Sequence, residues 1–180
     1  MNDGERAEVA AQVRRAVPDI PDFPKPGILF RDITPVLANA ALFAKVTEAL
    51  ASPFAGEGIS HVVSIESRGF ILGAPVALAL GAAFVPMRKP GKLPAATVRE
   101  EYALEYGTDA LEMHADALDG ASGVLVVDDV LATGGTAAAA CRLVERAGAR
   151  ARACAFLIEL TALHGHDALR TMRVEALVSY

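Results

Sequence analysis

Apolar and polar positions along this chain alternate in blocks that predict helices and buried strands. Residues 5–16 and 39–55 are predicted helices, and Asn39 is suited to cap the second one. From residue 61 onward, apolar runs typical of buried strands alternate with helix-like segments. The predicted strands are HVVSIES, AAFVPMRK, GVLVVDDV, RARACAFLIEL and RVEALVSY.

Continuous apolar strands that alternate with helices predict a parallel sheet covered by helices on both faces. The right-handed crossover rule then gives a doubly wound α/β domain. Two segments depart from this pattern. Residues 17–37 are dense in proline and are predicted to be extended or turned, because each proline biases the preceding residue away from the helix. Residues 90–119 interrupt the core and predict an antiparallel ribbon or a mobile flap.

Composition limits the classes of protein to which the chain can belong. Its 180 residues suit a single domain (1–180), and 53% hydrophobic residues exclude general disorder. A net charge of -5 and a pI of about 5.4 argue against a nucleic-acid partner. No apolar run is long enough for a membrane span, and the N-terminus is charged, so we expect a cytoplasmic protein. Cys141 and Cys154 are expected to be small buried residues, and the four histidines fit no metal-ligand spacing.

The segment GVLVVDDVLATGGTAAAACRLVERAG carries the sharpest chemical signal. A buried strand ends in Asp128 and Asp129, and the turn Ala132-Thr133-Gly134-Gly135-Thr136 leads into a helix. Such a turn presents backbone N–H groups at the positive end of the helix dipole, which predicts a phosphate site. The two acids need a different partner, either vicinal ribose hydroxyls or a hydrated cation. The segment has neither the lysine of a Walker A loop nor the G-x-G-x-x-G spacing.

The sequence VVDDVLATGGT resembles the motif with which type I phosphoribosyltransferases bind phosphoribosyl pyrophosphate (PRPP). Further motifs resemble the members of that family that act on adenine, in order and over nearly the whole chain. They are IPDFPKPGILFRDITPVL, ESRGF, RKPGKLP, YALEYG and LIELTAL. The resemblance implies a parallel-sheet core, a small hood from residues 1–37 and a flexible flap over residues 90–119. It also implies a reaction in which adenine and PRPP give AMP and diphosphate.

The resemblance assigns roles residue by residue. Glu105 and Arg68 would be catalytic, Glu105 beside the purine and Arg68 on the diphosphate. PRPP would be bound by Ser67, Arg68, Arg88, Lys89, Lys92, Asp128, Asp129, Ala132, Thr133, Gly134, Gly135 and Thr136. Adenine would be bound by Leu29, Phe30 and Arg31, with Phe30 available for stacking. Arg88, Lys89, Lys92 and Arg99 form a local positive cluster in this acidic chain.

The resemblance further implies Mg²⁺ held mainly by PRPP and water, with no protein metal ligands, and a homodimer. Two alternatives remain open at this point. The first is a phosphoribosyltransferase for another base, and the second is a PRPP-sensing regulator without turnover. Such regulators carry an additional DNA-binding segment, and the short acidic N-terminus offers no basic recognition helix. A PRPP synthetase is disfavoured because the chain is too short for it.

Overall fold

The computed structural model describes residues 1–103 and 107–180. These residues form two compact units, Met1–Ala49 and Leu50–Tyr180, and each unit is described by itself. No helix in the described ranges is long and apolar enough to cross a membrane.

The first unit contains helices and one short ribbon: α1 (Asp3–Ala16), β1 (Asp19–Pro21), β2 (Leu29–Arg31), α2 (Thr34–Ala38) and α3 (Ala40–Ala51). A capping box starts α1, because the Asn2 side chain accepts from the Glu5 N–H at 3.0 Å and the Glu5 carboxylate accepts from the Asn2 N–H at 2.8 Å. At the start of α3, the Asn39 side chain accepts from the Leu42 N–H at 3.1 Å. The predicted N-cap of the second helix is thereby confirmed.

Two predictions for this part of the chain are wrong in detail. The segment 17–37 is not extended throughout, because Thr34–Ala38 forms α2. Pro35 falls in the first turn, where its missing N–H costs nothing, and Asp32 accepts from the Thr34 N–H at 2.9 Å. The helix predicted over 39–55 ends at Ala51, where a 3-10 turn over Ser52–Phe54 replaces it.

The second unit contains seven strands and two helices. In chain order they are β3 (His61–Ile65), α4 (Arg68–Leu80), β4 (Ala83–Met87), β5 (Thr97–Ala103), β6 (Thr108–His114), β7 (Val124–Leu131), α5 (Gly135–Arg146), β8 (Ala151–Glu159) and β9 (Arg173–Ser179). Five of the strands form a parallel sheet in the order β4-β3-β7-β8-β9. The remaining two, β5 and β6, pair as an antiparallel ribbon.

The order of the sheet contains a switch point between β3 and β7. The chain leaves β3 through α4 to reach β4 on one side, and it leaves β7 through α5 to reach β8 on the other. Parallel crossovers are right-handed in nearly all proteins, and two such crossovers that run in opposite directions place their helices on opposite faces of the sheet. The predicted α/β fold, a parallel sheet flanked by helices, is confirmed. Ligands in such sheets bind at the carboxyl ends of the strands beside the switch point.

The centre of the sheet is fully buried and tightly packed. All four residues from Val124 to Val127 are 0% exposed. Helix α4 approaches β3 closely at Gly73, where a Cβ atom would lie 1.7 Å from the Ser64 Oγ. Cys141 and Cys154 are free and buried, with their Sγ atoms 3.5 Å apart, so the prediction of small buried residues is confirmed.

The insertion predicted at residues 90–119 contains the ribbon β5–β6, whose described register runs from Thr97 opposite His114 to Ala103 opposite Thr108. The predicted antiparallel ribbon is confirmed, and its mobility stays a prediction. Glu105, the predicted catalytic acid, lies outside the described residues.

Candidate functional site

Two loops meet at the carboxyl edge of the sheet, beside the switch point. One joins β3 to α4 through Ser67, and the other joins β7 to α5 through residues 132–134. The Arg68 Nε lies 2.5 Å from the Asp129 Oδ2. A Cβ atom at Gly69 would lie only 2.7 Å from the Asp128 Oδ1. Glycine at this position is therefore what allows the start of α4 to rest against β7.

The two adjacent acids have different surroundings. They lie within β7, which continues to Leu131 rather than ending at the acids, so their side chains point to opposite faces. Asp128 lines a pocket together with the following turn. Burial of its carboxyl group and then the nearby charge of Asp129 raise the pKa of Asp128 well above its usual range. The side chain of Asp129 is 8% exposed and pairs with Arg68.

The turn after β7 has the features of an anion site. Gly134 precedes α5 with a positive φ of 79°, and no side chain caps the helix. The first turn of α5 contains no acidic residue, so the helix dipole there is not neutralised from within. The predicted phosphate-binding residues Ala132, Thr133, Gly134, Gly135 and Thr136 all line the pocket that Asp128 shares.

A second turn, Gly165–Leu169, packs closely against the loop that joins β7 to α5. A Cβ atom at Gly134 would lie 2.3 Å from the Gly165 carbonyl oxygen, and one at Gly165 would lie 2.3 Å from the Ala132 carbonyl oxygen. The sequence predicts a surface loop around His164 and His166, and both residues are exposed. This loop forms a 3-10 turn in which Gly165 is buried and His166 contacts the buried carboxylate of Glu159.

Each cation of the predicted positive cluster pairs with an acidic residue. Arg88 and Lys92 both pair with Glu66, at 2.7 and 2.6 Å, and the side chain of Glu66 is only 7% exposed. Although burial alone would raise it, the hydrogen bonds from Lys92 and Arg88 lower the pKa of Glu66 below its usual value. Arg99 lies on the ribbon and pairs with Glu101 at 2.9 Å.

Lys89 belongs to a separate contact with the ribbon. Its ammonium group pairs with Asp109 and donates to the Tyr102 hydroxyl at 2.9 Å. Burial alone would lower the pKa of Lys89, but the bonds to Asp109 and Tyr102 outweigh it and raise that pKa. Lys89 therefore ties the end of β4 to the ribbon. Neither Glu66 nor Asp109 was among the predicted site residues.

The predicted base-binding residues lie in the first unit, on β2. Leu29 is 46% exposed. The Phe30 ring is half-buried and packs edge-on against Phe23, with ring centroids 5.1 Å apart. Arg31 pairs with Asp19, which is its cross-strand neighbour on β1. The short ribbon thus orders all three residues.

The geometry suits a particular kind of ligand. The amide turn at the start of α5 can hold one phosphate, and Arg68 with the Arg88–Lys92 pair can hold a second anionic group. Asp128 lines the same pocket as the amide turn and can form hydrogen bonds with hydroxyl groups. Among the residues that the structure describes, no group of three His, Cys, Asp or Glu side chains could hold a metal ion. The site is therefore organised for an anionic, hydroxylated ligand.

These features define a phosphoribosyltransferase, and the phosphoribosyl transferase domain family matches residues 32–172. The chain is 54% identical to the adenine phosphoribosyltransferase of Myxococcus xanthus over 172 residues, which cover 96% of this chain and 94% of that protein. It is 55% identical over 168 residues to that of Anaeromyxobacter dehalogenans, covering 93% and 98% of the two chains. The chain belongs to the adenine phosphoribosyltransferase family.

Solved structures of adenine phosphoribosyltransferases are similar over the same length. The enzyme from Rhodothermus marinus has a TM-score of 0.91 and 52% identity, with 97% of this chain and 99% of that chain covered. The enzyme from Saccharomyces cerevisiae, solved with an imino-altritol bisphosphate and adenine, has a TM-score of 0.89 and 41% identity, covering 95% and 99%.

Proposed function

We propose that this chain transfers the phosphoribosyl group of PRPP to adenine, forming AMP and diphosphate. In this reaction N9 of adenine bonds to C1 of the ribose, the bond from C1 to the diphosphate breaks, and the N9 proton is lost. The observation that carries the proposal is the meeting of Arg68 and Gly69 with Asp129 and Asp128 beside the uncapped start of α5. This arrangement supports one ligand with a phosphate at one end and a diphosphate at the other.

Each end of PRPP has its own group of residues in this proposal. The 5-phosphate is held by the amide turn Ala132 to Thr136, supported by the exposed start of the helix dipole. Asp128 and Asp129 bind or orient the ribose. The carboxyl oxygens of Asp128 line the pocket and can accept hydrogen bonds from ribose hydroxyl groups. The diphosphate is held by Ser67, Arg68, Arg88, Lys89 and Lys92.

Arg68 and Glu105 are the proposed catalytic residues. Asp129 pairs with the guanidinium of Arg68, which follows the end of β3. The Arg68 side chain is 45% exposed. Arg68 can there neutralise charge that builds on the departing diphosphate. Glu105 would accept the proton that leaves the imidazole ring of the purine.

Adenine recognition is assigned to Leu29, Phe30 and Arg31, through stacking on Phe30 and backbone groups at the other two positions. A 6-amino group donates to a backbone carbonyl, whereas a 6-oxo group would leave that carbonyl without a partner. An unpaired buried polar group costs about 1–3 kcal/mol, and dedicated sites discriminate by more.

Magnesium is proposed to arrive with the substrate. Carboxylates suit Mg²⁺, but Asp129 pairs with Arg68 and the raised pKa of Asp128 favours its neutral form. The acids of the site therefore do not fit a resident magnesium ion. Mg²⁺ bound to the phosphates of PRPP and to water would reduce the negative charge of the substrate.

The proposal includes a homodimer and retains the expected cytoplasmic location. Helix α4 exposes Leu78 (83%) and Ile71 (42%), and the adjacent edge strand exposes Phe84 (36%). Exposed apolar side chains on one helix and the sheet edge beside it support a self-association surface. Fractionation of the source cells tests the location.

The deciding experiment measures diphosphate release with protein, PRPP, Mg²⁺ and each free base in turn. We expect a kcat/KM for adenine at least roughly a hundredfold above that for hypoxanthine. Comparable values with hypoxanthine, xanthine or orotate would assign the chain to another base. Tight PRPP binding without turnover of any base would assign it to the regulators. Asp129→Asn, which removes the charge that holds Arg68, serves as the low-activity control.

A further inference from the structure

Glu66 is a buried acid at the site that the proposed reaction does not itself require. It follows β3 directly, and its N–H donates to the Met87 carbonyl at the end of β4 at 3.0 Å. Its two carboxylate oxygens each accept from a different cation, Oε2 from Arg88 and Oε1 from Lys92. The Glu66 carboxylate thus links the β3–α4 loop, to which Glu66 belongs, with the loop that follows β4.

We propose that Glu66 is a positioning residue that holds Arg88 and Lys92 as a preformed diphosphate-binding pair. This inference rests on the proposed function, because it takes the diphosphate to be the ligand of those two cations. Glu66 itself would not touch the substrate. Glu66 would instead fix the positions of the Arg88 guanidinium and the Lys92 ammonium group before the substrate binds.

The physical argument concerns the freedom of the two long side chains. Arg88 and Lys92 are 36% and 50% exposed, so each would sample many rotamers without a fixed partner. A buried carboxylate that accepts from both removes that freedom in advance, which lowers the entropy lost on binding. The loop is held at two more points. The Gly91 N–H donates to the Glu112 carboxylate at 3.0 Å, and Arg88 Nη1 donates to the Lys92 carbonyl at 3.4 Å.

The opposite effect is also conceivable on electrostatic grounds, because Glu66 could compete with the diphosphate for the same cations. The two possibilities predict changes of opposite sign. If Glu66 positions the pair, its removal weakens binding of diphosphate and PRPP. If Glu66 only competes, its removal strengthens binding.

The experiment compares E66Q and E66A with wild type by calorimetric titration of Mg²⁺-diphosphate and of PRPP. Glutamine keeps one acceptor oxygen, so E66Q should raise both dissociation constants roughly tenfold, and E66A should raise them further. The KM for adenine should stay within about twofold of the wild-type value, because the residues proposed to bind adenine are Leu29, Phe30 and Arg31. Unchanged or tighter binding in E66Q overturns the inference.

A control uses an ion pair outside the site. Glu57 pairs with Arg173 at 2.7 Å, and E57Q should leave both dissociation constants unchanged. Thermal unfolding shows whether each variant is folded. If E66A does not fold, the titrations of E66Q alone test the inference.

A double-mutant cycle separates this inference from the proposed function. Once Arg88 is removed by R88A, E66Q should cost distinctly less PRPP affinity than it does in wild type, because one of its two partners is gone. If R88A and K92A leave PRPP binding unchanged, the diphosphate assignment of those cations fails. If they weaken binding while E66Q acts independently of them, only the positioning role of Glu66 fails.

Discussion

Gly134 and Gly165 are packed so closely that neither position has room for a side chain. A Cβ atom on Gly134 would lie 2.3 Å from the Gly165 carbonyl oxygen, and 2.9 Å from the Ala168 Cβ. The positive φ of Gly134 adds a conformational reason for glycine at that position. The amide turn that is assigned to the 5-phosphate therefore depends on a segment about thirty residues further along the chain.

Gly165→Ala should weaken PRPP binding although Gly165 is not itself assigned to the substrate. The new methyl group would meet the Ala132 carbonyl at 2.3 Å and the Leu131 Cγ at 2.8 Å, so the phosphate turn must move. We expect the KM for PRPP to rise at least roughly tenfold, as small displacements at such sites can cause. Gly4→Ala, which meets only Asn2 at 3.4 Å, is the control. A wild-type KM in a folded G165A protein would contradict this support role.

Asp128→Asn should become increasingly stable relative to wild type as the pH rises. The pKa of Asp128 is raised in the folded state above its ordinary value of 3.8, so folding opposes its ionisation. From about pH 3.8 up to the folded pKa, wild type loses up to about 1.4 kcal/mol of stability per pH unit relative to the variant. Urea unfolding at pH 5 and pH 7 measures this difference. A constant difference would refute it, and Asp116→Asn, at an exposed acid, is the control.

Glu100→Gln should loosen the ribbon from α5. The Glu100 carboxylate is 13% exposed, accepts from Arg142 at 2.7 Å and forms an ion pair with Arg146 at 3.0 Å. We expect the free energy of unfolding, measured with urea, to fall by about 1–2 kcal/mol. The loss is no larger because the side chains of both arginines are about half exposed to solvent. The neighbouring Glu101 is 67% exposed and bonds only within the ribbon, to Arg99. Glu101→Gln should therefore cost under about 0.5 kcal/mol, and equal losses in the two variants would argue against the tie.

Glu105→Leu should lower kcat far more than it weakens PRPP binding. Proton transfer by a positioned side chain contributes about 10²–10⁴-fold, which sets the expected loss. Steady-state kinetics with adenine as the varied substrate, together with a PRPP titration, provide the measurement. A near-normal kcat would remove Glu105 from the catalytic residues and leave the flap as a steric lid only.

Leu78→Glu should convert the proposed homodimer to a monomer. A charge placed on the most exposed of the large apolar side chains would face the partner's apolar surface. Sedimentation velocity at several protein concentrations measures the change. Ala79→Glu, at the next exposed position of α4, tests how far the surface extends. A wild-type protein that stays monomeric at all concentrations would end the homodimer proposal.

The parts of the fold that depend on local patterns could be predicted from the sequence. The strand, turn and helix from Val124 to Arg146 match the prediction within two residues, because apolar runs and glycines mark their limits. The start of α3 was predictable because Asn39 caps it through its own neighbours. The helix α2 was missed because a proline in the first turn of a helix looks like a proline in a loop.

The pairings within the site could not be predicted in the same way. Glu66 is 22 residues from Arg88 and 26 from Lys92, and only the adjacency of β3 and β4 brings them together. Lys89 and Asp109 meet because β6 lies beside the residues that follow β4, where Arg88 and Glu112 exchange backbone hydrogen bonds. From the sequence alone, these residues formed one positive cluster. The structure pairs each cation with an acid, and that pairing depends on the order of the strands.

The pairing of β3 with β7 joins positions 63 residues apart, since His61 lies opposite Val124. Contacts of such long range slow folding, because a large loop must close before they form. Arg68 and Asp129 reach each other only after that closure, so a peptide with the sequence VVDDVLATGGT has the motif without the site. A ligand that engages both loops binds the completed sheet and not the unfolded chain, so it raises the free energy of unfolding by RT ln(1 + L/Kd), where L is the free ligand concentration. PRPP bound as proposed would therefore stabilise the middle of the sheet by linking the β3–α4 and β7–α5 loops.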